Sequence, residues 1–380
     1  MEYNLSYWER RQFIDKIDVC IVGAGLVGLH TAIAIKLKHP VCRILLLERG
    51  PLPYGASTRN AGFACFGSIS ELLDDLKDED ETRVFTRVKK RWDGLNKLRK
   101  LTGDAAIKYE THGGFELFKP SDAEQYHTCL TGMEKINRLT GEITGLKTVY
   151  READDRIKPF GFKGVSQLIE NSAEGQLDTG RMMQVLEAKA RQLGVLFLNG
   201  ITVTTIHPGN NPEIETDKGI KILPAKILLT TNGFSARLMK NTGVQPARAQ
   251  VLITKPIEHL KCKGTFHYDK GYYYFRNVNN RILLGGGRNM DFAGETTDTF
   301  GITTLIQSRL DSMLNEMILP DQEYTVDMRW SGIMGMGPTR EPTTKELLEN
   351  VYCAVGMGGM GVAIGAVVGE EAAQLVMNDL

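Results

Sequence analysis

The sequence lacks three features that would each assign it to a class of protein at once. It has no net charge, because 46 lysine and arginine residues balance 46 aspartate and glutamate residues. A neutral chain gives no reason to expect nucleic acid or an anionic membrane as a partner. No apolar run reaches the roughly 20 residues that a membrane helix needs, and the polar first residues do not resemble a signal peptide.

The sequence also lacks a cysteine motif, because the six cysteines are scattered and form no Cys-x-x-Cys pair. This usage favours a reducing compartment and predicts no metal site. We therefore expect a cytoplasmic protein that has no membrane span and no nucleic-acid partner.

The order of elements in residues 19–62 is that of a dinucleotide-binding βαβ unit. An apolar run from Val19 to Val22 is followed by the glycine motif GAGLVG and then by a helical pattern. A second apolar run, Ile44 to Leu47, ends in Glu48. Strand, glycine turn, helix, strand and acid in this order predict that a dinucleotide binds here.

Each part of that motif has a physical role. Gly23 permits the tight turn, Gly25 lets a pyrophosphate approach the backbone, and Gly28 lets the helix lie close to the strand. Leu26 and Val27 then stand in the first helical turn, where free N–H groups favour phosphate. Glu48 is placed to bind a ribose diol, and an acid there argues against a ribose 2′-phosphate. The motif alone leaves NAD and FAD both open.

Two further glycine-rich stretches extend this pattern. The loop GASTRNAG, residues 55–62, offers groups that suit a diphosphate, although a polar surface turn is the alternative. The turn GMGGMG, residues 356–361, precedes a helix whose N-terminus would stabilise negative charge on the pyrimidine end of a reduced flavin. NAD has no such group, but a plain packing turn would also use these glycines.

Periodicity predicts the remaining elements and a fold of the α/β class. Helices are predicted over 70–103, 121–145, 181–193 and 299–318, and an antiparallel sheet is predicted over 246–290. We expect a discontinuous Rossmann-like cofactor domain (residues 1–84, 146–240 and 325–380). A second, α+β substrate domain (residues 85–145 and 241–324) would be built on the antiparallel sheet.

Several motifs occur in the order seen in one known family. They are VGAGLVGL, LLER, GASTRNAG, RWSGIMGMGPTREP and VGMGGMGVAIGAVVGEEAAQLV. Together they resemble the D-amino-acid oxidase-like (DAO) family of FAD-dependent oxidoreductases, which includes glycine oxidase, sarcosine oxidase and gamma-glutamylputrescine oxidase. The string WSGIMGMGPTREP is most similar to the gamma-glutamylputrescine oxidase branch.

The resemblance implies that the cofactor is FAD, and that it is bound non-covalently because no cysteine falls in residues 330–340. The residues that it assigns to FAD are Gly23, Gly25, Leu26, Val27, Gly28, Glu48, Arg49, Ser57, Thr58, Arg59, Asn60, Ala61, Gly62, Val203, Thr231, Asn232, Gly233, Gly332, Gly359, Met360, Gly361 and Val362.

The resemblance also implies a reaction, namely hydride transfer from a carbon bearing an amine to flavin N5, giving an imine that water hydrolyses. Candidates to orient a small-molecule substrate are Tyr274, Arg276, Arg288 and Arg340. Tyr274 and Arg276 share one face of a strand, which would face either the flavin or solvent. An arginine near the flavin would bind a carboxylate in bidentate fashion.

Several alternatives stay open on the same residues. The protein would be an amine or amino-acid oxidoreductase, a 2-hydroxy acid oxidase or dehydrogenase, or a non-enzymatic flavin-binding redox sensor. Leu283 takes the place of a lysine that assists reaction with oxygen in sarcosine oxidases, so O2 and another electron acceptor are both open. His112 and His267 are interpreted as structural.

Overall fold

The computed structural model describes residues 3–378 and contains two large β-sheets with helices packed on them. The strands are β1 (Val19–Val22), β2 (Ile44–Glu48), β3 (Phe63–Ala64), β4 (Gly114–Phe118), β5 (Tyr150–Glu152), β6 (Gln167–Asn171), β7 (Gly175–Gln176), β8 (Leu196–Asn199), β9 (Val203–His207), β10 (Glu213–Thr216), β11 (Lys221–Ile222), β12 (Lys226–Leu229), β13 (Gln245–Thr254), β14 (Thr265–Tyr268), β15 (Tyr273–Val278), β16 (Arg281–Gly286), β17 (Val326–Met336), β18 (Thr343–Leu348) and β19 (Val351–Val355).

The helices connect and cover these strands. They are α1 (Tyr7–Glu9), α2 (Leu26–Lys38), α3 (Ile69–Asp78), α4 (Glu81–Thr102), α5 (Ala123–Thr144), α6 (Ile157–Phe160), α7 (Thr179–Gln192), α8 (Thr304–Met313) and α9 (Gly361–Met377). Short π-helical segments, Arg10–Ile14 and Leu314–Ile318, extend α1 and α8.

The first sheet has six strands in the order β18-β19-β12-β1-β2-β8. All of its neighbouring pairs are parallel except β18 with β19. β1 and β2 are buried at every position, as expected for parallel strands that are covered on both faces. The predicted βαβ unit is confirmed as β1, α2 and β2.

The second sheet has eight strands in the order β17-β13-β16-β15-β14-β4-β6-β5. Every neighbouring pair is antiparallel except β14 with β4. One face packs on an aromatic core in which the rings of Phe266 and Phe275 stack with centroids 4.6 Å apart. The predicted α/β class, with a Rossmann-like unit and an antiparallel sheet, is confirmed.

The second sheet takes in strands from outside the predicted substrate domain. β5 and β6 lie within residues 146–240, and β17 lies within residues 325–380, yet all three pair inside the eight-stranded sheet. β17 pairs with β13 over most of its length, which places it at the edge next to the cofactor region. The division into domains at the predicted limits stays a prediction.

A close crossing of α4 and α9 determines the position of the first turn of α9. A Cβ atom at Gly94 of α4 would lie 2.0 Å from the carbonyl oxygen of Ala363 in α9, so only glycine permits this approach. The crossing holds the N-terminal turn of α9 beside the carboxyl ends of β12 and β19.

Two predicted helices have different bounds in the structure. The segment 70–103 forms α3 and α4 because the backbone becomes extended at Glu79, where α3 ends. Asp80 then caps α4 by accepting a hydrogen bond of 2.9 Å from the Arg83 N–H. α8 begins at Thr304 rather than at residue 299. All six cysteines are buried and none forms a disulfide, and no helix within residues 3–378 is long and apolar enough to span a membrane.

Candidate active site

A large cavity lies between the two sheets, where the carboxyl ends of the parallel strands meet one face of the eight-stranded sheet. Its volume is about 660 Å³, within the range of roughly 300–1,000 Å³ that is usual for ligand sites. The predicted residues that line it are Gly23, Gly25, Leu26, Val27, Glu48, Arg49, Ser57, Arg59, Asn60, Ala61, Gly62, Val203, Thr231, Asn232, Tyr274, Arg288, Gly332, Arg340, Gly359, Met360, Gly361 and Val362.

Two predicted glycines lie behind the wall and allow close packing there. A Cβ atom at Gly28 would lie 2.1 Å from the carbonyl oxygen of Gly23, and one at Gly233 would lie 2.4 Å from that of Met334. These glycines therefore shape the cavity from outside it.

Thr58 and Arg276 also stand outside the lining. The Thr58 hydroxyl donates a hydrogen bond of 2.6 Å to the Pro53 carbonyl. Arg276 is buried and donates a hydrogen bond of 2.9 Å to the Leu177 carbonyl, beneath Gly62. Burial lowers the pKa of the Arg276 guanidinium to about 10. The structure thus places both side chains where they support the loop of residues 55–62.

The first end of the cavity fits a pyrophosphate. Gly23 has a φ of +113°, and a Cβ atom at Gly25 would lie 2.9 Å from Ser57 Oγ, so a side chain there would fill the approach to the backbone. The Ser57 hydroxyl accepts a hydrogen bond of 2.9 Å from the Leu26 N–H. α2 begins at Leu26, and the preceding residue, Gly25, has no side chain to cap it. Apart from the Leu26 N–H, the N–H groups of the first turn are therefore available to an anion.

Glu48 and Arg49, which the sequence predicts to contact the adenosine, lie together at the end of β2. The Glu48 carboxylate is buried and accepts hydrogen bonds from the N–H groups of Ala24 (3.2 Å) and Gly50 (3.0 Å), which fix it at the end of β2. The Arg49 guanidinium lies 3.8 Å from the centroid of the Phe234 ring. Burial, together with the nearby charge of Arg237, lowers the pKa of Arg49. A buried carboxylate thus stands beside a guanidinium stacked on an aromatic ring, an arrangement that fits the predicted contacts with ribose and adenine.

The opposite end joins β12 to the glycine turn before α9. Asn232, at a φ of +46°, accepts hydrogen bonds from the N–H groups of Gly356 (3.0 Å) and Met357 (3.2 Å). The hydroxyl oxygen of the neighbouring Thr231 is buried and has no hydrogen-bond partner among residues 3–378. α9 begins without a side-chain cap. An unpartnered hydroxyl and an uncapped helix N-terminus are donors that suit a flavin ring, which becomes anionic on reduction.

The loop of residues 55–62 is held mainly by its own side chains. The Asn60 side chain accepts a hydrogen bond of 2.8 Å from the Gly62 N–H and donates to two carbonyls of the loop. Arg59 donates a hydrogen bond of 2.8 Å to the Ser331 carbonyl of β17. The loop therefore bridges the two sheets with a preset backbone.

Arg288 and Tyr274, which the sequence predicts to orient a substrate, both line the cavity. The Arg288 guanidinium has no ion pair among residues 3–378, and its Nε atom is buried without a hydrogen-bond partner. Burial lowers the pKa of Arg288. Tyr274 lies across Gly285, where a Cβ atom would be 2.7 Å from the ring, and burial raises the pKa of its hydroxyl to about 12. The site thus offers a guanidinium that has no ion pair among residues 3–378 and a neutral hydroxyl donor.

Arg340 also lines the cavity, but its charge is already compensated. Its guanidinium lies 2.9 Å from Glu79 and 3.0 Å from Asp75, at the end of α3. Leu283 is buried on the cavity side of β16, where it packs with Ala61 and Val251. No charge takes the place of the lysine that the resemblance associates with this position.

The sequence interpretation left out His267, although it lines the cavity. Its Nε2 atom lies 3.3 Å from Oε2 of Glu174. His267 is the register partner of Tyr274 on the adjacent strand, so knowledge of strand pairing would have been needed to find it. His112 lies at the surface, 3.5 Å from Glu110.

Comparison with known proteins agrees with this geometry. The family model described as FAD dependent oxidoreductase (DAO) matches residues 18–375. The chain is 21% identical over 383 residues to a probable oxidoreductase, OrdL, of Haemophilus influenzae, covering 96% of this chain and 84% of the relative. It is 22% identical over 385 residues to the gamma-glutamylputrescine oxidoreductase of Escherichia coli, covering 95% and 84%.

Solved structures share the fold at low sequence identity. Glycine oxidase from Geobacillus kaustophilus superimposes with a TM-score of 0.76 at 18% identity, covering 96% of this chain and 95% of that one. L-proline dehydrogenase from P. horikoshii also has a TM-score of 0.76, at 16% identity, covering 96% and 94%.

Proposed function

The chain belongs to the DAO family of FAD-dependent oxidoreductases, and we propose that it oxidises the C–N bond of an amino acid whose carboxylate binds Arg288. FAD is its cofactor and, when bound, supplies the two-electron acceptor. The chain's own part is to orient the substrate, to exclude water and to move a proton. The oxidised product would be an imine, which water hydrolyses to a carbonyl compound and ammonia.

Arg288 is the observation that carries the proposal. Among the cavity arginines at the substrate end, Arg340 is paired with carboxylates, whereas Arg288 has a buried Nε without a partner. A partly buried guanidinium gains most from a bidentate carboxylate. The names of two relatives, a gamma-glutamylputrescine oxidoreductase and a glycine oxidase, support a substrate that carries an amine.

Tyr274 completes the proposed binding geometry. Its hydroxyl stays protonated at neutral pH, because burial raises its pKa, and it can donate a hydrogen bond to the substrate carboxylate or amine. Arg276 does not line the cavity but supports its wall from behind, through its hydrogen bond to the Leu177 carbonyl. The predicted contact of Arg340 with substrate, and the assignment of individual residues to parts of FAD, stay predictions.

A panel of compounds tests the proposal. The FAD-loaded protein is mixed, without air, with amino acids, with amines that lack the carboxylate and with 2-hydroxy acids. We expect bleaching of the flavin by an amino acid and not by the matching amine. Bleaching by hydroxy acids alone would favour a 2-hydroxy acid oxidase or dehydrogenase, whose substrate carboxylate Arg288 would also bind. If no compound bleaches the flavin, the proposal fails and a redox-sensing role gains weight.

The electron acceptor is a separate question. Leu283 leaves the flavin side of β16 apolar, so we propose slow reaction with O2 and transfer to another acceptor. A hydrogen peroxide assay in air tests this, because an oxidase would release one peroxide for each substrate oxidised.

A further inference from the structure

A buried histidine–carboxylate pair stands in the wall of the cavity and has no part in the function argued so far. His267 is 7% exposed and Glu174 is 1% exposed. The ring of His267 also contacts Phe63 edge-on, with centroids 5.2 Å apart. His267 Nε2 is engaged with Glu174, so Nδ1 is the ring nitrogen that remains for a ligand.

Among residues 3–378, His267 is the only hydrogen-bond partner of the Glu174 carboxylate. The other carboxylate oxygen, Oε1, is buried and accepts no hydrogen bond from residues 3–378. Since a buried carboxylate is costly unless it is paired, the Glu174 charge strongly favours a cation at His267.

Other charged or titratable groups face the pair from several elements. They are Glu71 on α3, Glu116 on β4, Cys65 after β3 and Tyr274 on β15. Burial lowers the pKa of His267, but the hydrogen bond to Glu174 and the charges of Glu174, Glu71 and Glu116 outweigh it and raise the pKa to about 9. The imidazole is thus a stronger base than a free histidine.

We propose that His267 accepts the proton that the substrate ammonium must lose before its C–N bond can be oxidised, with Glu174 as the positioning residue. This inference rests on the proposed function and adds a base to the same site. A carbon next to an ammonium group has no nitrogen lone pair to support the loss of its hydride, so deprotonation must come first.

The proton transfer balances without any further reactant. One N–H bond of the ammonium breaks, and an N–H bond forms at Nδ1 of neutral His267. The nitrogen lone pair stays on the substrate, and the positive charge moves to the imidazolium, where Glu174 stabilises it through Nε2. The step is a proton transfer and involves no oxidation or reduction.

The test is the pH dependence of flavin bleaching by an amino acid without air, measured at low substrate concentration from about pH 6 to about pH 10. In the wild-type protein we expect the rate to rise through an apparent pKa near 9. His267→Gln should slow bleaching by about 10²- to 10⁴-fold, the usual contribution of a general base. Glu174→Gln should move the rise to lower pH by about one unit or more, because the stabilising charge is lost while burial remains.

His112→Gln is the matched control, since His112 faces Glu110 at the surface, and it should leave rate and pH profile unchanged. FAD content and melting temperature report whether each variant folds. Should His267→Gln fail to fold, His267→Ala is tested with added imidazole, which should restore the rate.

Two results are distinguishable. A wild-type protein that no amino acid bleaches would overturn the proposed function and this inference together. A wild-type protein that bleaches normally, with His267→Gln retaining its rate and pH profile, would overturn the inference alone.

Discussion

Replacing Arg288 with glutamine tests the carboxylate contact on which the proposed substrate class depends. The change removes the cation and the fork of donors but keeps a polar side chain of similar reach. Because Arg288 makes no ion pair among residues 3–378, no internal carboxylate is left unpaired, so the loss reports the substrate contact rather than a broken ion pair.

The expected size follows from the type of interaction. A hydrogen bond to a charged group contributes about 1.5–3 kcal/mol, and each 1.4 kcal/mol is about tenfold in affinity. We therefore expect the dissociation constant of the amino acid, from the concentration dependence of anaerobic bleaching, to rise about 10- to 150-fold. Arg288→Lys keeps the charge without the bidentate fork, so its dissociation constant should lie between those of the wild type and Arg288→Gln.

Arg309→Gln provides a matched control. The Arg288 guanidinium lies 5.0 Å from the centroid of the Phe292 ring, and that of Arg309 lies 5.7 Å from the centroid of the Tyr273 ring. Tyr273, however, packs in the core on the far face of the sheet. This variant should bind substrate like the wild type. Wild-type affinity in Arg288→Gln, or a loss of FAD instead of affinity for the amino acid, would show that Arg288 does not bind the substrate carboxylate.

Three further substitutions test other parts of the account. Glu48→Ala removes the buried carboxylate at the end of β2 and should raise the FAD dissociation constant about 10- to 100-fold, measured by flavin fluorescence; unchanged FAD affinity would argue against the ribose assignment. Leu283→Lys should speed reoxidation of the reduced protein by O2 in stopped-flow measurements, and an equal rate would show that the missing cation does not limit that step. Burial raises the pKa of Glu116 to about 7 from a reference near 4.5, so folding favours its neutral form, and the resulting loss of stability appears as pH rises between these values. Glu116→Gln should therefore raise the melting temperature relative to wild type at about pH 8 and have less effect at about pH 5; a larger effect at the lower pH would contradict the assignment.

The cofactor half of the site was predictable from sequence because its signals are local. Gly23, Gly25 and Gly28 stand within one turn and one helix start, and their roles follow from the space a Cβ atom would occupy. Glu48 follows from the end of the next apolar strand. The glycine turn before α9 is equally local.

The substrate half depends on contacts between residues far apart in the chain. His267 and Glu174 are separated by 93 positions, and their meeting depends on how β14 pairs with β4 and β15. Strand register is set by the folded sheet rather than by local pattern. For the same reason, local sequence patterns could not predict that β17 joins the second sheet or that Arg340 pairs with the end of α3.

The most direct measurement is the product of a single turnover. The FAD-loaded protein is mixed without air with a limiting amount of the bleaching amino acid, and the products are quantified. We expect one 2-oxo acid and one ammonia for each FAD reduced. Reduction of FAD without release of ammonia, or without formation of the 2-oxo acid, would contradict the proposed oxidation of the C–N bond.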